Sequence, residues 1–169
     1  LDDALSPQEL LARGLALFEE MRNVDSEKTL SRAMADGQQP PLSPVDRCAA
    51  AFHVAQSVFK QRDRPRAAPL FDDAAKVCER AMEKAEGAER ERAADLRVKS
   101  LYQGGRCHAA RGEARIAASL FSLAEKEHAA HSYADDARLR QEEIYEAAAQ
   151  KKAGEAKDDK ALPVTPAEA

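Results

Sequence analysis

The chain reads as an all-α protein of antiparallel helical hairpins, and three observations predict it. Alanine dominates the apolar residues, aromatics make up 5% of the chain and tryptophan is absent. That composition favours helix and is poor in the β-branched and aromatic residues that fill strands. Start signals recur, because Ser6-Pro7-Gln8-Glu9 and Ser43-Pro44 each set a serine cap ahead of proline at the first helical position. The stretch from Leu101 to Asp136 holds a whole helix–turn–helix unit. Leu101, Gly104, Gly105 and His108 share one face, a turn follows at Arg111-Gly112, and Ala117, Phe121 and Ala124 share one face of a second helix. Small residues let the two helices approach, and Leu101 and Phe121 fill the space between layers.

Taken in order, the first helix starts at Pro7, carries Leu10, Gly14, Leu17 and Phe18 inward, and ends near Arg22. Asp25 or Ser26 caps a short second helix with Leu30 and Ala33 inward, stopping at Gly37. Two prolines make Gln38 to Leu42 a loop. A third helix from Pro44 to about Gln61 carries Cys48, Phe52, Ala55 and Phe59 on one side. Pro65 opens a fourth that runs to Lys84 with Ala67, Phe71, Ala74 and Cys78 inward, and Pro69 is expected near the end of its first turn. Past the charged stretch around Gly87, a helix from about Ala88 to Arg111 and its partner from Glu113 to His128 form the central unit. Ser132 caps a last helix ending at about Gln150. The division is thus a helical domain over residues 1–150 and, from its low apolar content, a disordered tail or linker over 151–169.

The 169 residues suffice for one core. A net charge of −4 with both signs interspersed lacks the basic footprint of a nucleic-acid binder, so no nucleic-acid partner is expected. No apolar run reaches the roughly 20 residues that span a bilayer. The opening Leu1-Asp2-Asp3 carries no signal peptide and no Met, which fits a processed chain or a piece of a longer one.

Cys48 and Cys78 lie about four turns either side of the turn at 62–64, at similar height on facing helices. They either form a disulfide, which implies an oxidising compartment, or stay as two buried thiols. Cys107 has no evident partner.

No catalytic constellation emerges. His128-Ala-Ala-His131 with Glu125, Asp135 and Asp136 has metal-ligand chemistry, but the pair straddles a turn among exposed polar residues, so no metal is expected. His108 lies on an inward stripe and reads as a packed core histidine. Gly104-Gly105 sits inside a helical pattern with no preceding strand, which argues for close packing and against a phosphate loop. No acid pair stands in an apolar setting that would tune it for acid–base work, and no cofactor is implied.

The pattern of Gly14, Leu30 and Ala33, then Phe52, Phe59, Ala67, Phe71 and Ala74, then Leu101, Gly105, His108, Ala117, Phe121 and Ala124 resembles the tetratricopeptide repeat. The resemblance covers roughly Ser6 to Gln150, with wider spacing than the family's and without its closing proline. It implies about seven helices stacked as a right-handed α-solenoid. The phrase His131-Ser132-Tyr133-Ala134-Asp135-Asp136-Ala137 is similar to helix junctions in bacterial cell-envelope proteins of that repeat class. Among them are the helical region of soluble lytic transglycosylases and lipoproteins of outer-membrane assembly and division. Two readings follow from the resemblance, both periplasmic or cell-envelope, with the cytoplasm as the remaining setting. One is a non-catalytic protein-interaction scaffold; the other is the helical, non-catalytic region of a peptidoglycan-cleaving enzyme. The repeat fold lines its concave face with the first helix of each pair, here presenting His53, Ser57, Lys60, Lys99, Tyr102 and Arg106. Cations with one aromatic suit an acidic or extended peptide or the anionic groups of a glycan strand, so the expected partner is a protein, a peptide or peptidoglycan.

Overall fold

The computed structural model describes residues 4–161, with side chains to residue 157. Seven helices follow one another: α1 (Pro7–Glu19), α2 (Asn23–Ala33), α3 (Pro44–Lys60), α4 (Arg64–Lys84), α5 (Gly87–Ala110), α6 (Ala114–Glu127) and α7 (Tyr133–Ala161). Among the described residues there is no strand. Each helix packs on the next, and in addition α1 packs on α3, α3 on α5 and α5 on α7. The backbones of α2, α4 and α6 do not approach one another in this way; long side chains bridge them, as where Arg66 of α4 meets Glu27 of α2. The odd-numbered helices therefore make a continuous layer and the even-numbered ones a splayed second layer.

Side-chain caps start α1, α3 and α4. The Ser6–Glu9 capping box is complete, Ser43 accepts from the Asp46 N–H, and Asp63 accepts from the Arg66 N–H. Each satisfies a donor the first turn leaves unpaired. The α2 start differs from expectation. Arg22 stands at its N-cap with no side-chain capping bond, and Ser26 is buried one turn inside the helix, its Oγ donating to the Gly14 carbonyl at 2.8 Å. The reason is the turn before it. α1 ends at Glu19 and the chain passes directly into α2.

The three turns that close α1–α2, α3–α4 and α5–α6 are one structure used three times. Met21, Arg62 and Gly112 take left-handed φ of 63°, 63° and 80°. In each, the next residue's N–H reaches back into the preceding helix: Arg22 to Leu17, Asp63 to Val58, and Glu113 to His108. This is the helix-ending motif that normally selects glycine, and only the third turn has it. Relative to these turns the core is in register. Gly14, Ala55 and Gly105 occupy one equivalent position, and Leu30, Phe71 and Phe121 another. A Cβ on Gly14 would lie 2.4 Å from Leu30 Cδ2, and one on Gly105 2.7 Å from the Phe121 ring. The absent side chain is what lets those helices meet.

Cys48 and Cys78 are bridged, with Cα atoms 4.7 Å apart, inside the core cluster that contains Val45, Phe52, Phe71 and Ala81. Cys107 is a buried free thiol, and burial pushes its pKa up to about 11. Pro69 lies in the second turn of α4, later than expected. The Pro65 carbonyl that its missing N–H cannot serve accepts from Arg111 Nη1 at 3.5 Å.

The last helix corrects the reading of the tail. α7 does not stop at Gln150 but continues to Ala161, while residues 162–169 lie outside the described residues. Low apolar content signalled disorder, yet Lys, Ala and Glu, all strong helix formers, supply eight of the eleven residues from 151 to 161. The side chains from Tyr145 to Lys157 are all exposed, so that part of α7 is held by propensity rather than by burial. His131, rather than Ser132, meets the start of α7, its Nδ1 accepting from the Tyr133 N–H at 3.0 Å.

Candidate cationic groove

Of the residues expected on an open face, two are in the core. Ser57 is fully buried and its Oγ donates to Ser26 Oγ at 3.2 Å, part of the seam between α2 and α3. Tyr102 is 6% exposed, packed against Phe121 and Tyr133. Both positions are covered from a second side, beyond their own hairpin partner. Ser57 meets the preceding hairpin, and Tyr102 meets the helix that follows. His53 is half-buried between the edges of Phe18 and Phe52, its Nδ1–H donating to the Ala49 carbonyl at 2.8 Å. Burial, the largest influence, pulls its pKa below the ordinary value. Lys99 is already paired with Asp95 at 2.9 Å.

Lys60 is exposed and Arg106 half-buried, each lining a cavity, and the fold brings Arg62, Arg64 and Arg140 to join them. Phe59, Lys60, Arg62 and Arg64 line a cavity of about 480 Å³. A second of about 250 Å³ shares Arg64 and adds Arg106 and Arg140, with Ala109, Ala110, Phe121 and Ile144 as an apolar floor and Glu143 as its one acid. The cations are held by rings and neutral acceptors. Lys60 Nζ stands 4.2 Å from the Phe18 centroid. Arg64 and Arg106 each stand 5.6 Å from the Phe59 centroid. Arg106 also donates to Gln103 Oε1 at 3.1 Å. Arg140 donates from Nε to the Tyr102 hydroxyl at 2.6 Å and lies 5.5 Å from that ring's centroid.

None of these five has a carboxylate ion pair among the described residues, and several arginines elsewhere do. Arg22 pairs with Asp25, Arg92 with Asp46, Arg97 with Glu127 and Arg111 with Glu113. Arg66 pairs with Glu27 and Asp63, and its hydrogen bond is the main reason the Glu27 carboxyl is held below the usual carboxylate range. Ring contact orients a guanidinium while leaving its N–H edge free for an incoming oxyanion. The groove can therefore bind anionic groups, and it holds no nucleophile–base pair among the described residues.

The remaining histidines are structural. His108 is buried between two carboxylates, its Nε2 2.8 Å from Asp72 Oδ2 and its Nδ1 3.0 Å from Glu113 Oε1. His131 Nε2 lies 2.8 Å from Asp95 Oδ1, and Arg97 Nη1 lies 2.9 Å from His128 Nε2. Among the described residues no group of three His, Cys, Asp or Glu is placed to hold a metal ion, and no helix is long and apolar enough to cross a membrane.

Arg62 and Arg64 carried a weak sequence signal, a basic cluster at a turn. Arg140 carried none, because its membership depends on α7 crossing α5. Comparison of the chain with known protein families, characterised proteins and solved structures finds no match.

Proposed function

We propose that this protein is a non-catalytic helical-repeat scaffold of the tetratricopeptide-like kind, working in the bacterial cell envelope by holding an extended acidic segment of a protein partner along its cationic groove. The observation that carries the reading is the convergence of cations without acid partners on one groove. Arg22, Arg66, Arg92 and Arg97 are matched by acids elsewhere on the molecule. Lys60, Arg64, Arg106 and Arg140 face the groove held only by rings and neutral acceptors. Charge-assisted, bidentate bonds from arginine to carboxylate supply register, and the apolar floor between Phe121 and Ile144 supplies an anchor position. The disulfide between Cys48 and Cys78 supports an oxidising compartment. The three hairpins in common register support a repeat architecture.

The second reading, a helical region belonging to a peptidoglycan-cleaving lytic transglycosylase, draws on the same cations, because a glycan strand with its peptide stems also carries carboxylates. One experiment separates the two. The full chain and a Lys60→Glu, Arg106→Glu double variant are incubated with intact peptidoglycan sacculi and, separately, with a library of acidic peptides. Peptide capture without sacculus retention, lost in the variant, is the expected result. Sacculus retention lost in the variant would favour the second reading. Equal behaviour of both proteins in both assays would remove the groove from consideration.

A further inference from the structure

The three repeated turns share one edge of the molecule, as side-chain contacts between them establish. Lys60 Nζ, at the α3–α4 turn, reaches Met21 Sδ, at the α1–α2 turn, at 3.8 Å. Arg111, at the α5–α6 turn, reaches the Pro65 carbonyl at the start of α4. On this edge Met21 is 63% and Val24 50% exposed, two of the large apolar residues most open to solvent. Next to Met21 opens the cavity lined by Phe59, Lys60, Arg62 and Arg64. It holds three cations and a ring, and no described carboxylate lines it. The edge thus joins unpaired positive charge to protruding apolar side chains, in a chain whose net charge is −4.

An acidic peptide needs the cations but leaves Met21 and Val24 without a role. A bilayer with acidic headgroups uses both, because phosphates meet the cations while short apolar side chains enter the interfacial layer. We propose that this edge is a peripheral docking surface for an anionic phospholipid bilayer, with Lys60, Arg62 and Arg64 on the headgroup phosphates and Met21 and Val24 in the interface. The left-handed backbone at Met21 and Arg62 sets these two residues at the apex of their turns. The surface lies beside the groove and shares Lys60 and Arg64 with it, but the inference does not rest on the groove's ligand.

The test uses the full chain and the absence of tryptophan. Met21→Trp introduces a single reporter at an exposed position, and circular dichroism checks that it and every other variant are folded. Vesicles of equal parts phosphatidylglycerol and phosphatidylcholine should sediment the protein, with retention falling as salt rises; pure phosphatidylcholine should not. The emission of the introduced indole should shift to the blue on binding. Lys60→Gln and Arg62→Gln should each weaken partitioning about fivefold. Arg106→Gln with Arg140→Gln should leave it unchanged. Absence of binding to the acidic vesicles, equal binding to neutral ones, or unshifted emission in the bound state would each overturn the proposal. So would equal loss in the Arg106, Arg140 variant, which would move the headgroups into the groove. Inorganic phosphate without vesicles is the last arm. If it perturbs the amide resonances around Lys60 and Arg62 at the concentration that displaces vesicles, the site is one for a small oxyanion, and membrane docking is wrong.

Discussion

The α3–α4 and α5–α6 hairpins are built on the same register and are held together by different chemistry. In the first, Ala55 fills the position opposite Phe71, and the Cys48–Cys78 bridge ties the end away from the turn. In the second, Gly105 leaves that position empty so that the Phe121 ring can occupy it. His108 then ties the turn end to Asp72 of α4 and to Glu113 at the cap of α6. One pattern of small and large residues therefore specifies where two helices meet. What reinforces the meeting is a covalent bond in one hairpin and a part-buried hydrogen-bonded cluster around His108 in the other.

Breaking the bridge should have the largest effect. The Cys48→Ala, Cys78→Ala double variant removes a cross-link spanning 30 residues of sequence, and should lose about 3–4 kcal/mol of unfolding free energy. Urea titration measures it. Alkylation provides the covalent check. Unfolded without reductant, the chain should label only at Cys107; after reduction it should label at all three cysteines. Labelling at Cys48 without reductant would dissolve the comparison.

His108→Ala should come next, at about 2–3 kcal/mol, because it leaves Asp72 and Glu113 facing a void without their shared partner. The same substitution in the bridge-deficient background should add without coupling if the two ties are independent. Gly105→Ala should cost about 1–2 kcal/mol, overpacking against Phe121 outweighing the ~1 kcal/mol of helix propensity that alanine supplies. Ala55→Gly, the mirror change, should also destabilise, which would show that each hairpin is fitted to its own residue. The smallest effect concerns the turns. Gly112 is suited to its left-handed backbone and Arg62 is not, so Arg62→Gly should stabilise by about 1 kcal/mol, seen as a rise in melting temperature. A loss of stability there would mean that Arg62 contributes contacts to the fold beyond its place at the docking edge.

The core was readable because it follows local rules. Ala67-Phe71-Ala74 and Ala117-Phe121-Ala124 are spaced for one helix face, and all six are buried. The pairing of Cys48 with Cys78 was readable as one of two outcomes because their distances from the turn place them level. The groove was readable only in part. Lys60 and Arg106 emerged from the stripe opposite the core, but the same reasoning exposed Ser57 and Tyr102, which the neighbouring helices cover. A helix wheel knows its own inner stripe and not the second one that forms when a helix is packed on two sides. The α7 extension failed for a different reason, since composition weighs burial and this segment is sustained by backbone propensity.

Residue pattern and caps were enough to specify the helices, their order, the small-against-large seams and the near coincidence of two cysteines, because each depends on residues a few positions apart. Tertiary packing alone decided which cations remain without acids, and that Arg140 joins Arg64 and Arg106. It also decided that Met21 and Arg62 share an edge. Ion pairing and exposure are properties of side chains from distant helices, and they come into being only when those helices meet.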